Sequence, residues 1–224
     1  MERGFDTGRE ILKWVAIVSM TIDHVGASLY PQYEVLRLIG RLSFPLFCYL
    51  LVLGLENTRN VGNYFIRLFL FALASQVPFY LAFGMEPFES LNVFFTLSSG
   101  LAFIYFYQKK NALLALLPVL ASLILHFDYG IYGIFLIGSM YLIRKDAELG
   151  TVSVVLLNLA SSFMWSTQFM SLFALPIILL HNSKTSVMVE DINRKGAYPL
   201  WKKYFFYAYY PLHLLALYIV RIKI

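Results

Sequence analysis

VLRLIGRLSFPLFCYLLVLGLE, residues 35–56, decides the fold. Apart from Arg37 and Arg41, an i, i+4 pair on one face, the stretch is almost continuously apolar. A membrane crossing needs about 20 predominantly apolar residues. The same texture recurs along the chain at 11–30, 64–84, 91–108, 111–127, 129–144, 150–166, 168–181 and 204–221. Roughly nine helices of about 20 residues use some 180 positions, leaving short connections and no room for a soluble domain. Composition agrees: 59% of the 224 residues are hydrophobic and 14% charged, against about 25% charged in ordinary soluble domains. The expected fold is an all-α, polytopic transmembrane helix bundle of about nine helices, one domain over 1–224. The closely spaced fifth to eighth segments leave room for a broken or re-entrant helix. The polar stretch 182–203 is expected to be a cytoplasmic loop.

Orientation follows from lysine and arginine. With the N-terminus cytoplasmic, inner segments and helix margins hold Arg3, Arg9, Lys13, Arg59, Arg67, Lys109, Lys110, Arg144, Lys145, Lys184, Arg194, Lys195, Lys202 and Lys203. The outer loops carry Glu34, Glu86, Glu89 and Asp128 instead, with Arg221 and Lys223 as exceptions at the end. The net charge of +5 therefore reports topology, and no nucleic-acid module accompanies it. Lys13, Asp23 and His24 interrupt the first apolar stretch, which reads as a permanent helix rather than a signal peptide. Cys48 has no partner and reads as a small core residue.

Ionisable groups within such segments usually face a bundle interior or a wet cavity. Here they are Asp23, His24, Arg37, Arg41 and Arg67, with Gln76, Asn92 and Asp128 at the outer side and His213 behind Pro211 in the last segment. One outer chamber is expected to collect most of them. Lys13 and His24, eleven positions apart, fall within about 20° on one helix face and about 16 Å apart along it. Simpler readings stand beside these. Lys13 also fits an interfacial lysine, Arg37 and Arg41 fit structural partners of Asp23 or Asp128, and His213 fits a core histidine donating to a carbonyl freed by Pro211. His126 reads as interfacial, His181 as cytoplasmic and solvated, and Tyr207, Tyr209 and Tyr210 as packing residues. There is no P-loop, G-x-G-x-x-G, C-x-x-C, H-E-x-x-H or G-x-S-x-G motif, and no metal site is expected.

Six ordered blocks carry a resemblance: LKWVAIVSMTIDHVGA (12–27), LRLIGRLSFPLFCYLLVLGLENTRN (36–60), RLFLFALASQVPFYLAF (67–83), LNVFFTLSSGLA (91–102), DYGIYGI (128–134) and KYFFYAYYPLHLLAL (203–217). Together they resemble the TraX family of bacterial membrane proteins, whose namesake acetylates the N-terminus of conjugative pilin. A more distant likeness is to membrane acyltransferases of the acyltransferase-three type, which carry in their first helix an Arg and, after ten intervening residues, a His. Lys13 and His24 match that spacing, with Lys where those enzymes have Arg, and Lys lacks the bidentate geometry toward phosphate.

The resemblance implies an integral acetyltransferase of the bacterial cytoplasmic membrane. It would move an acetyl group from cytoplasmic acetyl-CoA, as co-substrate, to an amine or hydroxyl of a membrane-associated or extracytoplasmic acceptor: a pilin-like protein, a glycan or a lipid-linked sugar. His24 is the expected base or acetyl carrier, oriented by Asp23 or by Asp128. Lys13, Arg67, Arg41 and His213 are expected at the donor, and Arg37, Gln76, Asn92 and Asp128 at the acceptor or oxyanion. The alternatives are a proton-coupled transporter or lipid-linked flippase using the same polar groups, and a scaffold in which they only bind helices together.

Overall fold

The computed structural model describes residues 7–163, 166–188 and 200–224. Among them the chain is all helix: α1 (Thr7–Ser28), α2 (Glu34–Gly40), α3 (Ser43–Glu56), α4 (Val61–Phe83), α5 (Val93–Gln108), α6 (Ala112–Ile124), α7 (Gly130–Lys145), α8 (Ala147–Ser162), a 3-10 segment (Ser166–Phe173), α9 (Ala174–Met188) and α10 (Leu200–Arg221). With the broken pair α2–α3 taken as one, this makes nine α-helices among the described residues.

Local chemistry explains where they start. Asn60, Asn92, Asn111 and Asp146 each stand just before a helix and accept a hydrogen bond from a first-turn amide, that of Asn63, Phe94, Leu114 and Leu149 respectively. Such caps satisfy donors that have no partner inside the helix. At the far end of α4, Gly84 adopts a left-handed φ of 65°, and Arg221 of α10 donates to the Ala82 carbonyl at 3.3 Å.

Two expected segments are interrupted. The segment 35–56 breaks at Arg41–Leu42, because Pro45 has no N–H to offer the Arg41 carbonyl and its ring crowds that position. At the same break Ser43 donates to the neighbouring Gly40 carbonyl at 2.8 Å. The segment 168–181 begins as the 3-10 turn and becomes α-helical only at Ala174. Gln168 and Ser171 of that turn, Tyr132 of α7 and Asn158 of α8 form one buried hydrogen-bond network that holds it. The expected loop 182–203 is shorter than its polarity implied. Residues 182–188 continue α9 and α10 begins at Leu200, while 189–199 lie outside the described residues.

Helix α3 is central. Leu46, Cys48, Tyr49 and Val52 are wholly enclosed, and α1, α5, α7 and α9 pack around them. His181 is not solvated as its neighbours in sequence suggested: it is buried, with Nδ1 3.1 Å from the Tyr49 hydroxyl. The outer surface is apolar, with Val18, Leu70, Val77, Leu113, Ile124 and Leu156 exposed, whereas Ser75, Asn92, Thr96 and Asn158 are buried. Among the described residues two helices are long and apolar enough to cross a membrane by length and composition: the broken Glu34–Glu56 and α4. Helices α5, α6 and α8 are apolar but shorter.

Helix α2 lies against α1 at very short range. A methyl group on Gly40 would sit 2.2 Å from Asp23 Cβ and Oδ1, so only glycine permits this approach. Overpacking of this kind costs about 1–3 kcal/mol. Gly40→Ala is expected to lower the thermal unfolding midpoint of the detergent-solubilised protein. An unchanged midpoint would mean that α2 does not dock on α1 this closely.

Candidate functional site

Adjacent residues on a helix point about 100° apart, and α1 uses this to send Asp23 and His24 to different partners. Asp23 faces α2, where its Oδ2 lies 2.5 Å from Arg37 Nη1, and the same guanidinium donates to the Asp23 carbonyl at 3.3 Å. His24 faces α10, and its Nδ1 lies 2.7 Å from His213 Nε2. The two imidazoles are almost parallel, 8° apart, with centroids separated by 5.0 Å. Phe83 and Tyr210 stand edge-on to His24 at 5.3 and 5.9 Å.

Neutral rings joined this way have one proton arrangement. His213 Nδ1 lies 2.9 Å from the Tyr209 carbonyl. A carbonyl only accepts, so this nitrogen carries the hydrogen. His213 Nε2 is then an acceptor, and His24 Nδ1 donates to it. The lone pair of the pair is left on His24 Nε2, the chemical position of a general base or acyl acceptor. The same Tyr209 reaches back to α1, its hydroxyl 2.8 Å from Thr21 Oγ1, so the backbone that holds His213 is itself tied to the helix bearing His24. His213 does not use a carbonyl released by Pro211. The missing proline N–H would have met Tyr207, two residues before the acceptor observed.

On the other side of Tyr210 lies a cavity of about 390 Å³ between α1, α3, α4, α5 and α10. One end is basic and polar, lined by Arg9, Glu10, Lys13, Asn57, Thr58 and Arg67. The other is apolar, with Met20, Leu97, Phe94 and Tyr210. Lys13 contacts Glu10 Oε1 at 2.7 Å and lies over the Phe206 ring. Arg67 is held between the rings of Tyr64 and Tyr207, at 5.1 and 5.3 Å. Its Nε is buried without a hydrogen-bond partner, and among the described residues no carboxylate pairs with it. A guanidinium so placed can receive an anion entering the cavity.

The expected single chamber is thus divided. Lys13 and Arg67 meet at the cavity, but Arg41 and His213 do not line it. Arg41 sits at the α2–α3 break with Nε buried and unpartnered. Gln76 and Asn92 satisfy each other. Asn92 Nδ2 donates to Gln76 Oε1 at 2.7 Å and to the Ala72 carbonyl, while Gln76 Nε2 donates to the Ser90 carbonyl. Asp128 stands at the junction of α6 and α7, and its amide donates to the Leu91 carbonyl at 2.8 Å. Reasoning from the sequence missed the His24–His213 pair and the parts played by Arg9, Tyr209 and Tyr210. Only the i, i+4 spacing of Tyr209 and His213 hinted at one of these contacts. Among the described residues no group of three or more His, Cys, Asp or Glu side chains is placed to hold a metal ion.

Comparison with known proteins adds a lineage. The family model described as TraX protein matches residues 8–221. The probable fimbrial assembly protein FimC, serogroup H1, of Dichelobacter nodosus is 28% identical, with 96% of each chain covered. The Escherichia coli protein TraX is 26% identical over 93% of this chain and 85% of its own. An uncharacterised Rickettsia prowazekii protein is 27% identical over 46% of this chain and 38% of its own. No solved structure matches.

The tautomer assignment is open to measurement. Imidazole 15N chemical shifts of protein labelled at histidine should show His24 protonated at Nδ1 and bare at Nε2 at neutral pH. His213→Ala should abolish that preference. A wild-type His24 protonated at Nε2 would contradict the assigned direction of the chain.

Proposed function

Because the chain belongs to the TraX family, we propose that it is a membrane-embedded acetyltransferase using acetyl-CoA as donor and His24 as the reacting base. The carrying observation is the cavity that runs from Arg9, Lys13 and Arg67 to Tyr210, whose ring packs on His24. A polyanionic head followed by a thin, weakly polar arm and a thioester has the same order of chemistry. Arg67, unpaired by any described carboxylate, suits the pyrophosphate, and the Met20–Phe94–Leu97 wall suits the arm. The apolar exterior, over an interior that encloses Ser75, Asn92, Thr96 and Asn158, supports a bundle set in the bacterial cytoplasmic membrane, and the lysine and arginine distribution supports an N-terminus inside. The cationic cavity mouth would then open to the cytoplasm.

In the reaction, His24 Nε2 removes a proton from the acceptor amine or hydroxyl as that group attacks the thioester carbonyl. The C–S bond breaks as the new acyl bond forms, and His24 returns the proton to the departing thiolate. His213 holds the ring through Nδ1 and stabilises the imidazolium while the proton is on it, a role a carboxylate plays in many dyads. A transient acetyl-imidazole is the covalent variant. Fimbrial assembly is what the printed name of the Dichelobacter relative describes, and it favours an amine on a pilin-type subunit over a glycan hydroxyl as acceptor. Asp23 serves here as the partner of Arg37, which keeps α2 docked beside His24.

Calorimetry with acetyl-CoA, combined with release of free thiol, tests this. Wild type and His24→Ala should both bind, and thiol release should fall by about 10²–10⁴ in the mutant, the usual range for a lost general base. Arg67→Gln should weaken binding instead. A folded, monodisperse wild type that binds no acetyl-CoA would sink the donor assignment and leave a proton-coupled transporter as the better reading of the histidine pair.

A further inference from the structure

Three rings other than its own helix neighbours surround His24: Phe83, Tyr210 and His213. Of these, only Tyr210 also lines the cavity, and His24 itself does not line it. Tyr210 is buried, 3% exposed, and wedged on both sides. Its ring stands edge-on to Phe94 at 5.2 Å on the cavity side, and lies 5.9 and 5.5 Å from His24 and His213 on the other. Phe94 begins the first turn of α5, held there by the Asn92 cap, so the surface behind Tyr210 is fixed by a helix start rather than by a loop.

We propose that Tyr210 is the specificity-determining plug between the donor cavity and His24, and that its ring restricts the transferred group to a short acyl chain. The proposal rests on the donor-cavity reading above and deepens it. A thioester carbonyl that reaches His24 must pass the edge of the Tyr210 ring. Whatever extends beyond that carbonyl is confined among the rings that surround His24, those of Tyr210, Phe83 and His213. An acetyl group carries one methyl into that space, whereas each further methylene meets the Tyr210 ring. In a closed hydrophobic pocket one methylene more or less changes the specificity constant by roughly 10–200-fold, so a single aromatic ring suffices to discriminate. The aromatic body performs this role and the hydroxyl is not needed for it.

The test uses the full chain in detergent with acetyl-, butyryl- and hexanoyl-CoA, measuring both binding and thiol release to water. Wild type and Tyr210→Phe should share a preference for acetyl. Tyr210→Leu should raise the butyryl-to-acetyl ratio of thiol release by about 10-fold or more. If Tyr210→Leu does not fold, Phe94→Leu removes the ring against which Tyr210 rests and should move the ratio in the same direction. An unchanged ratio in a folded variant that still binds all three thioesters overturns the plug and leaves the donor assignment standing. A wild type that binds none of them overturns the donor assignment, and the plug with it.

Discussion

The 2.7 Å hydrogen bond between His24 and His213 is the contact on which the chemical reading of this protein depends. It joins the first helix to the last, across 189 positions of sequence, and it has a direction. The backbone carbonyl of Tyr209 at one end cannot donate, so every proton along the chain is fixed and the lone pair emerges at His24 Nε2. A carboxylate partner would orient the ring too, but would add a negative charge to an interior already holding Asp23. A second imidazole orients without charge, and can share a proton that reaches the pair.

That arrangement requires α1 to serve two neighbours at once. Asp23 is pulled toward α2 by Arg37, and His24 toward α10 by His213. The α2 side is held by a glycine that allows the two backbones to close up, and the α10 side by the Thr21–Tyr209 hydrogen bond. The polar groups in this interior are therefore mostly committed to holding helices. Gln76 with Asn92, and Tyr132 with Asn158 and Gln168, are networks whose members saturate one another. Other groups keep capacity to spare, among them Asp23 Oδ1, Thr96 Oγ1, and the Nε atoms of Arg41 and Arg67.

Much of the fold was legible because it rests on periodicity and punctuation. Helix starts follow Asn60, Asn92, Asn111 and Asp146, residues whose side chains cap by their own chemistry, and the apolar segments predicted nine helices. The breaks were harder. Pro45 is visible in the sequence, but a proline in a first helical turn is usually tolerated, and only the continuation on both sides makes it a break. The 3-10 turn at 166–173 depends on partners in α7 and α8 that no local pattern announces. For the site, Lys13, His24 and Arg67 were visible as charges among apolar residues. The pairing of His24 was not, since adjacency in sequence favoured Asp23 and the helix places that residue about 100° away.

The substitution of Lys13 for the arginine of the more distant acyltransferases takes on a different meaning once the neighbours are known. Lys13 lies against Glu10 and over the Phe206 ring, so part of its charge is compensated before any ligand arrives. A guanidinium facing the cavity comes from another helix, Arg67 of α4, oriented by Tyr64 and Tyr207. Bidentate recognition of an anion needs a planar fork held in place, and two flanking rings supply that restraint where a flexible ammonium on α1 could not. On the donor reading proposed above, the demand for a planar fork falls on α4, and the first-helix position can be lysine. On the same reading, the spacing between positions 13 and 24 sets the distance along α1 from the charged mouth to the imidazole.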